Sequence, residues 1–207
     1  MTESRDAAPG DRGGSGFSAL TRRRPVAVAL AFESGLALLA LTLALLFGLQ
    51  PWQSISADPA ALGQSGLGTA LLVGAVLALM QARWQWVQNL ERIVQDHLAP
   101  LFRGAGPTAL GAVALAAGIG EELLFRGVIQ DGLSGAAGPG IALLVASLLF
   151  GLAHAITPAY FVLASLMGLY LGGIYLATGN LLVPILVHFL YDWIVLSRYL
   201  AKRKNRR

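Results

Sequence analysis

Six apolar runs, most of them close to the roughly 20 residues that cross a bilayer as a helix, dominate this 207-residue chain. They extend from Val26 to Leu49, Leu62 to Ala82, Thr108 to Glu121, Ile141 to Ile156, Ala159 to Ala177 and Leu181 to Leu200. Runs of this length and apolarity specify transmembrane helices. The expected fold is therefore all-α, a polytopic transmembrane helix bundle of about six spans. Ile141 to Ile156 is short for a crossing and is expected to tilt or to thin the bilayer locally.

Composition agrees. Charged residues make up 13% of the chain, against about 25% in soluble domains, and mean hydropathy is +0.64. These values exclude a soluble globular enzyme, a disordered chain and a coiled coil. No cysteine is present, so disulfides, iron–sulfur clusters, thiolate zinc sites and cysteine nucleophiles are excluded. The net charge of +4 does not mark a nucleic-acid binder, because the basic residues flank the apolar runs without interleaved aromatics. The expected non-substrate partner is membrane lipid.

Charge placement sets the orientation. Fourteen of the fifteen Lys and Arg precede the first run, lie between the second and third, or sit at or after the end of the sixth. With six crossings all fourteen fall on one side, the cytoplasmic side by the positive-inside rule. Both termini are then cytoplasmic, and with no transit peptide evident a prokaryotic plasma membrane is the default.

Four segments follow: 1–25, a disordered cytoplasmic lead-in; 26–107, two transmembrane helices and an interfacial helix; 108–200, the core that carries the polar motifs; and 201–207, a basic cytoplasmic tail. The late start and length of the first apolar run argue against a cleaved signal peptide. Between Gln81 and Phe102, Trp84, Trp86, Val87, Leu90, Ile93, Val94 and Leu98 recur among charged and amide side chains. This pattern fits an amphipathic helix at the cytoplasmic interface, the alternative being an extension of the second span into water. Gly127 to Gly140 reads as a glycine-rich outer loop, and Gly172-Gly173 as packing glycines.

The exceptions to apolarity point to the chemistry. An ionisable group at the bilayer centre costs about 2.5–3.5 kcal/mol on insertion scales. The third run nonetheless ends in Glu121-Glu122-Leu123-Leu124-Phe125-Arg126. Glu122 and Arg126 are four residues apart and share a helix face, so they can pair. Glu121 lies about 100° around the helix, free to project elsewhere. The fourth run holds Phe150 and His154, and the sixth holds His188 and Asp192, one turn apart. His97, in the interfacial segment, reads as a solvated bystander. Three helices thus bring titratable groups to membrane depth. A carboxylate and an imidazole can act together as general base on water, and a second imidazole can stabilise an oxyanion. A buried polar clamp, a proton-coupled transporter or a non-enzymatic scaffold or immunity protein would use the same residue types.

At these residues the sequence resembles the CAAX protease and bacteriocin-processing family of intramembrane endopeptidases. The family pattern Glu-Glu-x3-Arg, Phe-x3-His and His-x3-Asn/Asp is met by Glu121-Glu122-x3-Arg126, Phe150-x3-His154 and His188-x3-Asp192. The resemblance implies an intramembrane protease whose substrate is a peptide or a membrane protein. It assigns Glu121 and His154 to the hydrolytic water, and His188 with the residue at 192 to the oxyanion or to substrate orientation. Glu122 and Arg126 position Glu121, and Phe150 packs beside the site. Asp192 stands where the eukaryotic CAAX enzymes have asparagine, and an ionised aspartate cannot donate a hydrogen bond. Zinc through His154, His188 and a carboxylate is an acceptable ligand set. The expectation is nonetheless a metal-free glutamate mechanism. No nucleotide or flavin is implied, because no Gly-x-Gly-x2-Gly or Walker-type loop occurs.

Overall fold

A computed structural model describes the backbone of residues 14–98, 102 and 104–204, and the side chains of 25–96, 102 and 104–198. All the regular structure among them is helical. Helix α1 spans Gly14–Leu46, α2 Pro59–Gln81, α3 Gln85–Ile93 and α4 Pro107–Glu122. Helix α5 spans Asp131–Ala137, α6 Pro139–Ala153, α7 Pro158–Thr178 and α8 Leu182–Lys204.

Four of these helices start on proline: Pro59, Pro107, Pro139 and Pro158. A first-turn N–H has no partner within its helix, so proline sacrifices nothing there and its fixed φ is already helical. Asp58 and Thr157 complete two of these starts by accepting hydrogen bonds from the Ala61 and Tyr160 amides, at 2.8 and 3.2 Å. At the other end, Gly179 closes α7 in the left-handed region at φ 62°, where glycine carries no Cβ penalty.

Four helical stretches are long and apolar enough to cross a membrane: Pro25–Leu46, Pro59–Gln81, Pro107–Ala137 and Pro158–Thr178. Of the other two expected spans, α6 is a shorter apolar helix. Helix α8 has the length but carries His188, Asp192 and Arg198. Large apolar side chains such as Val28, Phe32, Leu45, Leu62 and Leu67 face outward, as a lipid solvent requires. The chain is an integral membrane protein with a helical bundle fold.

Three expectations need correction. Helix α1 begins at Gly14, so the segment 1–25 is helical over its second half; residues 1–13 lie outside the described residues. The helical path of α4 does not stop near Glu121. It passes through π turns at Leu123–Gln130 directly into α5, so the stretch expected as an outer loop from Gly127 is helical as far as Ala137. Wider π turns keep the backbone hydrogen-bonded while shifting the side-chain register. Gly127 also fits tightly there: a Cβ on it would sit 2.6 Å from Pro51 Cβ. The break comes instead at Gly138, with φ 82°.

Helix α3 is a separate helix rather than an extension of α2. Arg83, at φ 51°, turns the chain between them. Val87 is buried, while Trp84 and Trp86 stack on each other at 5.9 Å on the exposed side.

Helix α4 is central, packed between α1 and α8, while α6 packs on α7 and α2 on α8. Small residues permit the close approaches, as is usual where no hydrophobic force separates helix from lipid. A Cβ at Gly118 would lie 2.9 Å from the Ile185 carbonyl of α8. At Gly120 it would lie 2.6 Å from the Glu33 carbonyl of α1, and at Gly168 2.9 Å from Ser147 Cα of α6. Gly172 is equally tight against Leu143 and Gln130, whereas Gly173 faces open space.

Gly120→Ala pushes against main chain and should destabilise by about 1–3 kcal/mol, whereas Gly74→Ala, with nothing within 4 Å, should not; equal unfolding temperatures in detergent would contradict the packing. The Asp58 carboxyl is held below its ordinary value by the Ala61 amide and then by Ser56. Its contribution is therefore present at neutral pH and is lost as the solution is acidified through the carboxylate range, below about 4. The difference in unfolding temperature between wild type and Asp58→Ala should shrink over that range, and a constant difference would contradict the assignment.

Candidate active site

Glu121 and Glu122 stand at the end of α4, where the π turns begin, and Arg126 lies within those turns. Phe150 and His154 come from the last turn and C-cap of α6, and His188 and Asp192 from α8. The structure brings all seven expected residues together.

The buried layer is an ionic one. Arg126 Nη1 donates to Glu122 Oε1 at 3.0 Å, with both side chains almost fully buried. Arg126 Nη2 donates to the Gly168 carbonyl of α7 at 3.0 Å. The guanidinium lies 4.7 Å above the centre of the Phe150 ring, a cation–π contact shielded from water. Phe150 in turn stacks on the His154 ring at 4.5 Å and meets His188 edge-on at 6.0 Å. It is a spacer that keeps both imidazoles off the arginine while fixing their planes.

Above this layer the histidines converge on Glu121. His154 Nδ1 lies 2.9 Å from the Phe150 carbonyl, a geometry that makes Nδ1 the donor and leaves the Nε2 lone pair facing Glu121 Oε2 at 3.7 Å. His188 Nδ1 donates to Glu122 Oε1 at 2.8 Å. Its Nε2 faces Glu121 Oε2 at 3.9 Å and Asp192 Oδ2 at 3.5 Å. The distances to Glu121 exceed a direct hydrogen bond and have the reach of a water-bridged one. Glu121 Oε2 itself has no hydrogen-bond partner.

Exposure rises across the group, from 4% for the His188 side chain and 9% for Glu121 to 29% for His154 and 31% for Asp192. All four line one cavity of about 720 Å³, whose other walls are mostly aliphatic and aromatic side chains such as Leu72, Leu79, Met167 and Tyr170.

Two features escaped the sequence. Glu122 was expected to serve Arg126 alone, yet the same oxygen also holds His188, across 66 positions that no local spacing reveals. Glu33, the single acid of the first apolar run, interacts electrostatically with His188, Glu121 and Asp192, and its buried Oε2 has no hydrogen-bond partner. Its isolation in an apolar run was the available signal. The side chain of His97 lies outside the described residues. For zinc, His154, His188 and a carboxylate do face one another, but among the described residues no three His, Cys, Asp or Glu are grouped to hold a metal ion.

Residues 104–194 match the family model described as type II CAAX prenyl endopeptidase Rce1-like. No curated protein and no solved structure matches the chain. The matched stretch contains every residue of the Glu-Glu-x3-Arg, Phe-x3-His and His-x3-Asp motifs and runs from just before α4 into α8. The resemblance read from those motifs therefore holds: over residues 104–194 this membrane protein is similar to the Rce1-like type II CAAX prenyl endopeptidases.

Proposed function

We propose that the protein is an intramembrane endopeptidase that hydrolyses a peptide bond of a peptide or membrane-protein substrate held in the apolar cavity. The observation that carries this reading is the convergence of Glu121 Oε2 with the Nε2 atoms of His154 and His188 at the cavity wall.

Each group has a role that its other bonds leave open. Water held between Glu121 Oε2 and His154 Nε2 is oriented for attack on a carbonyl carbon in the cavity, and its proton passes to this base pair. His188 has Nδ1 committed to Glu122, so its orientation is fixed. In its protonated form Nε2 donates to the oxyanion that develops, with Asp192 orienting the ring from 3.5 Å. The tetrahedral intermediate collapses as the C–N bond breaks, and the proton taken from water is delivered to the leaving nitrogen. Glu122, Arg126 and Phe150 are positioning residues. No step is routed through a metal.

On the positive-inside rule we take both termini as cytoplasmic, and the α3 side of the cavity is then the cytoplasmic one. A prenyl group on the substrate is not required by this reading; an extended apolar segment fills the same kind of wall.

The test is cleavage of quenched fluorescent peptides by the purified chain in detergent or liposomes. Glu121→Gln and His154→Ala should each lose about a hundredfold or more in kcat, and a chelator should change nothing in wild type. Undiminished turnover by Glu121→Gln would overturn the glutamate assignment. Activity lost to chelator and restored by zinc would overturn the metal-free mechanism.

A further inference from the structure

The cavity extends well beyond the converging carboxylate and imidazoles. Along α8 its wall runs from His188 to Leu196, about 12 Å at 1.5 Å per residue. Another part of its lining comes from α3 and the residue that caps it, which present Val87, Leu90, Glu91 and Val94 to it. This i, i+3, i+4, i+7 spacing is one face of a helix. Three of the four are apolar, as the lining of an apolar cavity should be. The fourth is a carboxylate on the inward face.

Glu91 is half-buried, and no hydrogen bond or ion pair of its carboxylate is found among the described residues. The neighbouring cation, Arg92, is exposed and turns to Asn89 instead. Among the described residues the cavity lining holds three carboxylates, Glu91, Glu121 and Asp192, and no lysine or arginine. A charge on the inner face of an amphipathic helix is expensive without a counter-charge, and here the cavity is where a counter-charge would arrive.

We propose that Glu91 is a specificity-determining residue that pairs with a lysine or arginine of the substrate. The favoured substrate is then an apolar polypeptide stretch bounded by a basic residue. Glu91 lines the same cavity as Glu121, His154 and His188, so a substrate seated at the converging groups can bring a flanking basic residue to it. Membrane proteins carry basic residues of this kind at the cytoplasmic ends of their spans. This inference rests on the endopeptidase reading and specifies its substrate.

The test uses one apolar fluorescent peptide with Lys, Gln or Glu at either end, and measures binding by anisotropy alongside cleavage, with the full chain in detergent. Wild type should bind and cleave the best Lys peptide at least about fivefold better than its Glu counterpart. That ratio should fall toward one in Glu91→Gln and invert in Glu91→Lys. A wild-type ratio near one, or a ratio unchanged in both variants, overturns the proposal. Charge-selective, Glu91-dependent binding without any cleavage would sustain the specificity and overturn the endopeptidase reading instead.

Discussion

A single carboxylate oxygen, Glu122 Oε1, accepts both the Arg126 guanidinium and the His188 imidazole, at 3.0 and 2.8 Å. Arg126 carries the connection on to the Gly168 carbonyl, so one buried node ties α4 to α7 and α8. Removing charges from water costs several kcal/mol per ion, and only dense mutual pairing offsets that. The node therefore tolerates little movement, and the groups hung on it inherit its rigidity. Phe150 is clamped between Arg126 and His154, and His188 is aimed by its Nδ1 bond. Glu121, rotated about 100° from Glu122, is left without a hydrogen-bond partner at Oε2 beside both imidazoles. Two identical neighbouring residues thus acquire different environments from helical geometry alone.

What the sequence reveals divides along the range of the interaction. Helix starts are local: Pro59, Pro107, Pro139 and Pro158 mark them because a proline at N1 needs nothing from the rest of the fold. The Glu122–Arg126 and His188–Asp192 pairs are legible for the same reason, being one turn apart. The Glu122–His188 bond depends on how α4 meets α8, and that contact depends on Gly118 accepting the Ile185 carbonyl, which no periodicity encodes. The glycines after Arg126 mislead in the opposite direction. Glycine commonly marks a loop, but Gly127 is there for the approach of Pro51, so the helical path continues.

On the proposed endopeptidase reading, chemistry and selection come from different parts of the chain. The converging Glu121, His154 and His188 all lie within residues 104–194, the stretch similar to the Rce1-like endopeptidases. The cavity walls contributed by α2 and α3 lie before it. Helix α3 is set off by the left-handed turn at Arg83, with its apolar face over the cavity and its tryptophans outward. If that reading holds, a shared core of this kind could serve different substrates by varying the helices that precede it.

Glu122 holds the fold at the site while Glu121 is held by it, and thermal unfolding in detergent tests this most directly. Glu122→Gln leaves Arg126 and His188 around a neutral partner and should destabilise by about 3–5 kcal/mol, the cost of breaking a buried ion pair. Glu121→Gln should leave the unfolding temperature unchanged or raise it. Equal losses in the two variants, or a larger loss for Glu121→Gln, would contradict the account.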